Sequence, residues 1–360
     1  TLAEGKYLVM YGEYFDTADT NNNQRVEIQG RLVIDGAATT TGAGQGFIRR
    51  QNFAQDATVG GSSILDVASD GTTLETRFYR TDTSADAGGT VDRVAGWGGV
   101  SILRLSSDWD YGRYTLSSAA TPPDGYAQLS WTAVHEEDTA SFSQSGADIT
   151  VTDAGRYLVS YSIPIQTDGG SDRTEYSSKL QLNNVDVEGT HVSTYMRENE
   201  STDDGVLSYI GIIDIGASEV LDVKVDMTDG TITGHVMEAG SSIEIVKFPS
   251  GNQTIIAEAT SGEMNPATLT EFAWDTTAHI DIDAFTMAAG TDSFMEVDVE
   301  GDYLFFASQQ TANGGVRTVP AGRFSVNDVI AATAVSGKYN RSNGGSDLAG
   351  YSLGTLIPGL

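Results

Sequence analysis

The sequence predicts an all-β fold, built as tandem antiparallel β-sandwich or jelly-roll domains in three homologous copies, the first and last incomplete. Two observations carry this. A phrase recurs: Gly5-Lys6-Tyr7-Leu8-Val9 returns as Gly155-Arg156-Tyr157-Leu158-Val159 and as Gly301-Asp302-Tyr303-Leu304-Phe305, at steps of 150 and 146 residues. Solenoid and propeller repeats run only about 20 to 50 residues, so a step this long is a whole domain. The second observation is period-2 alternation, plain in Val220-Leu221-Asp222-Val223-Lys224-Val225-Asp226. There Leu221, Val223 and Val225 are expected inward and the charged residues outward. Long helical periodicity is nearly absent.

The elements follow in order. After each Gly-x-Tyr strand comes a second landmark: Arg31 to Gly36, Lys179 to Asn184, and Arg323 to Asp328. Each ends in a pair, Asp35-Gly36, Asn183-Asn184 or Asn327-Asp328, of the residue types that a two-residue hairpin turn with positive φ demands. Ile64-Leu65-Asp66-Val67 then matches Ile212-Ile213-Asp214-Ile215, and Leu74 matches Leu221. Only the middle copy has both a leading segment, Gln128 to Val151, and a closing strand, Ser242 to Phe248. Many short strands with turn punctuation mean one sandwich per copy. The expected organisation is copy 1 at 1–105, a linker at 106–124, copy 2 at 125–248, a linker at 249–266 and copy 3 at 267–360. Copy 1 lacks its first strands and copy 3 its last. Either the sequence is a window from a longer polypeptide or neighbouring chains supply the missing strands, since open sheet edges are costly and aggregation-prone.

Composition bounds the partners. The 41 glycines, 7 prolines and 39% hydrophobic residues suit a folded, turn-rich protein. No apolar run approaches the roughly 18 residues of a membrane helix, so no membrane insertion is expected. With no cysteine there are no disulfides, thiolate metal sites or cysteine nucleophiles. Fifty acidic residues face twenty basic ones, for a net charge of −30, and only five of the twenty are lysines. The acids are spread along the chain, a surface that repels nucleic acid. Self-repulsion of this size is screened at molar salt, where the Debye length falls to about 3 Å. A halophilic or marine source is therefore expected.

The middle copy suggests a family. It runs through Trp131, then Gly155-x-Tyr157-Leu158-Val159-Ser160-Tyr161, Lys179-Leu180-x-Leu182-Asn183, Tyr195-x-Arg197, Gly211-Ile212-Ile213-Asp214-Ile215 and Leu221-x-Val223-x-Val225. It closes with Ser242-x-Glu244-Ile245. This resembles the jelly-roll domains of the complement globular-head and tumour necrosis factor superfamily, which also occur in phage and archaeal-virus structural proteins. The hairpin pair Asn183-Asn184 departs from that family's Asn-Gly. The resemblance implies a ten-stranded jelly roll that trimerises through an aromatic, apolar face. Tyr157, Tyr161 and Tyr209 are candidates for the core or the trimer face, with core packing expected.

Catalytic signatures are absent. His135, His191, His235 and His279 share no repeat position, and no Gly-x-Ser-x-Gly elbow, P-loop or dinucleotide fingerprint appears. The chain is expected to be no enzyme and to hold no cofactor. Asp16 and Asp19, and Asp168 and Asp172, lie in equivalent oxygen-rich loops that offer calcium ligands. Neither matches a defined calcium loop, and solvated loops are expected. Arg50, Arg197 and Arg341 recur at steps of 147 and 144 residues. A carboxylate partner fixing a loop or an inter-subunit contact is their expected role. The functional expectation is a virion structural protein: a fibre, spike, turret or decoration protein at the virion surface. It would form a homotrimer, contact other virion proteins and present loops to a host surface glycan or protein. The alternative is a secreted cellular adhesin, surface-layer or filament subunit, extracellular or on the cell surface.

Overall fold

All three landmark glycines open strands. The computed structural model describes every residue except 18–24, 50–55, 81–90, 95–97, 108, 167–172, 198–203, 230–234, 250, 253, 259–273, 275, 288–294, 312–320, 327–328, 338–345 and 357–360. In copy 1 the described strands are β1 (Gly5–Thr17), β2 (Arg25–Ile34), β3 (Ala37–Ala38), β4 (Gly44–Arg49), β5 (Asp56–Val67), β6 (Leu74–Arg80), β7 (Val91–Arg93) and β8 (Gly99–Leu105). Copy 2 begins with β9 (Tyr111–Thr115), β10 (Ala127–Gln128), β11 (Ala133–Glu137), β12 (Phe142–Ser145) and β13 (Asp148–Val151). It continues with β14 (Gly155–Gln166), β15 (Arg173–Leu182), β16 (Val185–Asp186), β17 (Val192–Arg197) and β18 (Asp204–Ile215). Its last strands are β19 (Glu219–Asp229), β20 (Val236–Met237) and β21 (Ser242–Lys247). Copy 3 contributes β22 (Ile255–Glu258), β23 (Thr276–Ile280), β24 (Phe285–Thr286), β25 (Glu296–Val297), β26 (Gly301–Thr311), β27 (Ala321–Val326), β28 (Val329–Gly337) and β29 (Ser346–Leu356). No helix occurs among the described residues.

Copy 2 is a complete two-sheet jelly roll. One sheet has the order β11-β9-β21-β14-β18, the other β12-β13-β19-β15 with β17 also on β15, and every pairing is antiparallel. Alternation places Tyr157, Val159, Tyr161 and Ile163 of β14 against Leu221, Val223 and Val225 of β19, with Trp131 and Phe142 in the same continuous core. Burying side chains of this size contributes roughly 1.5–3 kcal/mol each. The hairpin pairs behave as their chemistry demands: Asp35, Gly36, Asn183 and Asn184 all have positive φ, at 47°, 83°, 49° and 65°. Asn327-Asp328 lies outside the described residues.

Copy 1 repeats the plan from the Gly-x-Tyr strand onward. β1 pairs β5 and β8, and β2 pairs β4 and β6. These are the equivalents of β14 with β18 and β21, and of β15 with β17 and β19. Among the described residues its core includes one cluster around Tyr7, Val9 and Tyr11 and another around Phe15, Ile28 and Ile48.

The segments expected as linkers, 106–124 and 249–266, each carry a strand. β9 pairs β11 and β21, and β22 pairs β23. Both strands are short, and β9 joins the sheet that holds β21 and β14.

The chain forms two compact units: Thr1–Phe248 with Phe306–Tyr351, and Pro249–Phe305 with Ser352–Leu360. The second holds the pairs β22–β23 and β24–β25.

Candidate assembly interface

The sheet β11-β9-β21-β14-β18 has two faces. Tyr114, Ile243 and Tyr161 are register partners across it and point into the copy-2 core. Their neighbours Arg113, Glu244 and Ser160 form the adjacent rung and point the other way. On an isolated sandwich that rung would face water. Here copy 1 covers it.

The covering elements are β5 and the turn before β4. Ser62 Oγ lies 2.6 Å from Ser160 Oγ, and Ser162 Oγ donates to the Ala43 carbonyl at 3.2 Å. Glu244 accepts two hydrogen bonds from copy 1, from Ser63 Oγ at 2.9 Å and from the Ile64 amide at 2.8 Å. Arg113 completes the set by donating from Nη1 to the Ile64 carbonyl at 2.9 Å. Ile64 is thus gripped at both its N–H and its C=O by one carboxylate and one guanidinium on adjacent strands. Small side chains allow the approach. Another close point is Gly240, whose φ is +92° and where a Cβ would meet the Thr40 carbonyl oxygen at 2.8 Å.

Electrostatics separate centre from rim. Glu244 is 2% exposed, and burial pushes its carboxyl up to about 7, opposed by Ser63, the Arg113 charge and the Ile64 amide. A buried carboxylate is costly unless its oxygens are hydrogen-bonded, which these are. At the rim, Lys6 pairs with Glu136 and sits 3.7 Å from the centre of the Tyr111 ring, and Arg31 approaches Glu238 at 3.7 Å. Such partly exposed pairs contribute about 0–1 kcal/mol each. A further contact between copies lies in the same unit: β28 packs against β1, β5 and β8 of copy 1. Leu8 and Met10, on the outward face of β1, are buried.

The residues singled out from sequence fall elsewhere. Tyr157, Tyr161 and Tyr209 are buried in the copy-2 core. Tyr157 donates to the Asp153 carbonyl at 2.7 Å, while Tyr161 stacks on Tyr209 at 5.6 Å and bonds Ser178. Asp16 is the last residue but one of β1, in register with Asp56 and Asp92. Asp19, Asp168 and Asp172 lie outside the described residues, as do Arg50 and Arg341. Arg197 closes β17 in register with Arg173. Among the described residues no group of three or more His, Asp or Glu is placed to hold a metal ion. Sequence reasoning missed Arg113, Glu244, Ser160 and Ser62-Ser63. One signal was available: Ser160 and Ser162 occupy alternate positions on β14, on the face opposite Tyr157, Val159 and Tyr161.

No protein-family model and no curated protein matches the chain. Among solved structures it is similar to murine APRIL, at 12% identity over 39% of this chain and 100% of that one, with a TM-score of 0.27. It is also similar to the Eiger TNF of S. frugiperda, at 20% identity over 43% of this chain and 99% of that one, with a TM-score of 0.29. The jelly-roll assignment rests on the strand order itself.

Proposed function

We propose that this chain is a non-enzymatic structural protein of an exterior assembly: a fibre, spike, turret or decoration protein on the virion of a halophilic or marine virus. It works by locking jelly-roll copies together, assembling as a homotrimer and presenting loops to a host surface glycan or protein. The observation that carries the reading is the grip of Arg113 and Glu244 on Ile64. It fixes the register of one copy on the next, which is what a display scaffold requires and what a flexibly tethered binding module does not. Tandem, oligomerised domains also multiply weak loop contacts into avidity. The net charge of −30 suits a surface that works where salt screens its self-repulsion.

The test is the mass of the purified assembly by light scattering, in molar salt and in dilute buffer. The reading expects a trimer in salt that dissociates on dilution of the salt. A monomer of 38.1 kDa in both conditions contradicts it.

A further inference from the structure

The outer face of the second copy-2 sheet carries a row of oxygen donors on one rung. In that sheet β13, β19, β15 and β16 lie side by side. Ile149 faces Leu221 and both point into the core, so their neighbours Asp148 and Asp222 project from the opposite face. One step beyond the Ile149–Leu221 pair, antiparallel register sets Asp148 beside Asp222. On the other flank Asp222 faces Gln181, and Gln181 faces Asp186. The rung therefore reads Asp148, Asp222, Gln181, Asp186 across the four strands.

Burial separates the middle of the rung from its ends. Asp222 is 1% exposed and Gln181 5%, while Asp148 and Asp186 are open to solvent. Neither carboxylate oxygen of Asp222 accepts a hydrogen bond of ordinary geometry, and neither does Oε1 of Gln181. The Gln181 amide is fixed by its other end. Its Nε2 donates to Asp186, whose carboxylate Lys179 also holds at 2.6 Å. Because β16 and β19 flank β15 on opposite sides, Oε1 is left on the side of Asp222. Turning the amide over would give Asp222 a donor but set the amide oxygen against the Asp186 carboxylate. Burial, with the Asp148 carboxyl beside it, pushes Asp222 up to about 6. Gln128 and Lys224 oppose this from nearby, and among the described residues Lys224 closes no ion pair on Asp222. Buried acceptors that face one another without a donor are costly unless a positive charge stands between them.

We propose that Asp222, Asp148 and Gln181 form a binding site for calcium on the outer face of copy 2. Carboxylate and amide oxygens are the ligands a hard cation takes, and the permissive geometry of calcium suits donors set by strand register. Softer metals would find no thiolate or imidazole on this rung. The site has two carboxylates and one amide rather than three acids, so water completes the shell and a Kd of about 0.1–1 mM is expected. The exposed carboxylates at both ends leave the rung open to exchange with solvent ions. A bound ion ties β13, β19 and β15 together through their side chains. The site uses none of the acidic loop residues that the sequence offered for calcium. It concerns copy 2 alone and does not rest on the exterior role proposed above.

The test is calorimetric titration of the full chain with calcium chloride after dialysis against a chelator. Molar sodium chloride screens diffuse attraction to the acidic surface. The native chain should bind calcium, Asp222→Asn should lose one site, and Asp148→Asn should weaken that site. Because a proton competes with the ion for Asp222, affinity should fall about tenfold from pH 7 to pH 5. Thermal unfolding separates binding from a structural role. Without calcium, Asp222→Asn should melt higher than the native chain, since it removes a buried, unpaired charge. Calcium should raise the melting midpoint of the native chain more than that of Asp222→Asn. No calcium binding by the native chain, an undiminished number of ions on Asp222→Asn, or an affinity indifferent to pH would each overturn the site. An Asp222→Asn chain that melts lower than the native one without calcium would make Asp222 a structural residue and overturn it too.

Discussion

Copies 1 and 2 share a plan and differ in completeness. Each has a Gly-x-Tyr strand flanked by two partners, a hairpin with left-handed turn residues, and a second sheet of matching order. Copy 2 adds β9, β11, β12 and β13, and with them one continuous core that includes Trp131 and Phe142. The described residues of copy 1 form separate clusters around Tyr7 and Phe15, with Phe78 packed against both. The difference shows that the leading strands close one side of the sandwich, while the landmark strands alone set its topology.

The comparison can be broken first at Trp131. Replacing this buried side chain by alanine should cost about 3–5 kcal/mol and loosen the lid on copy 2, pushing it toward copy 1. Urea unfolding read by Tyr fluorescence measures this. Next come the equivalent positions Ile245 and Ile102. Ile245→Ala should cost roughly 2–5 kcal/mol, and Ile102→Ala less than about 1, because only the first leaves a closed core. Equal costs would mean the two sites are equally packed.

The contact between the copies gives a pH signature. The Glu244 carboxyl sits at about 7 when buried and at its ordinary 4.5 when exposed. The packed form therefore binds the proton more readily, and its stability should be full below 4.5 and fall as pH rises to about 7. The size is about 3–4 kcal/mol, at roughly 1.4 kcal/mol per unit of difference between the two values. Thermal unfolding across this window should show the slope in the native chain and lose it in Glu244→Gln. The smallest effect belongs to the rim. Lys6→Ala should change stability by less than about 1 kcal/mol, and that change should vanish at high salt.

Much of the fold was legible in the sequence, for physical reasons. The strand starts at Gly5, Gly155 and Gly301 and the turn at Asn183-Asn184 could be read because alternation and turn chemistry are local. β9 and β22 could not. They are five and four residues long, too short for a pattern, and only their partners β21 and β23 make them strands. The interface was hidden for another reason. Alternation tells which face of β14 points out of its own sandwich, and Ser160 was readable as outward. It does not tell whether that outward face meets water or Ser62 of the next copy.

The most direct test of the account is hydrogen exchange at the Ile64 amide, which Glu244 holds across the contact between copies 1 and 2. The account predicts that this amide is protected in the native chain and exchanges faster in Glu244→Ala. Fast exchange in the native chain, or unchanged protection in Glu244→Ala, would contradict the claim that copy 1 is locked onto the outward face of the copy-2 sheet.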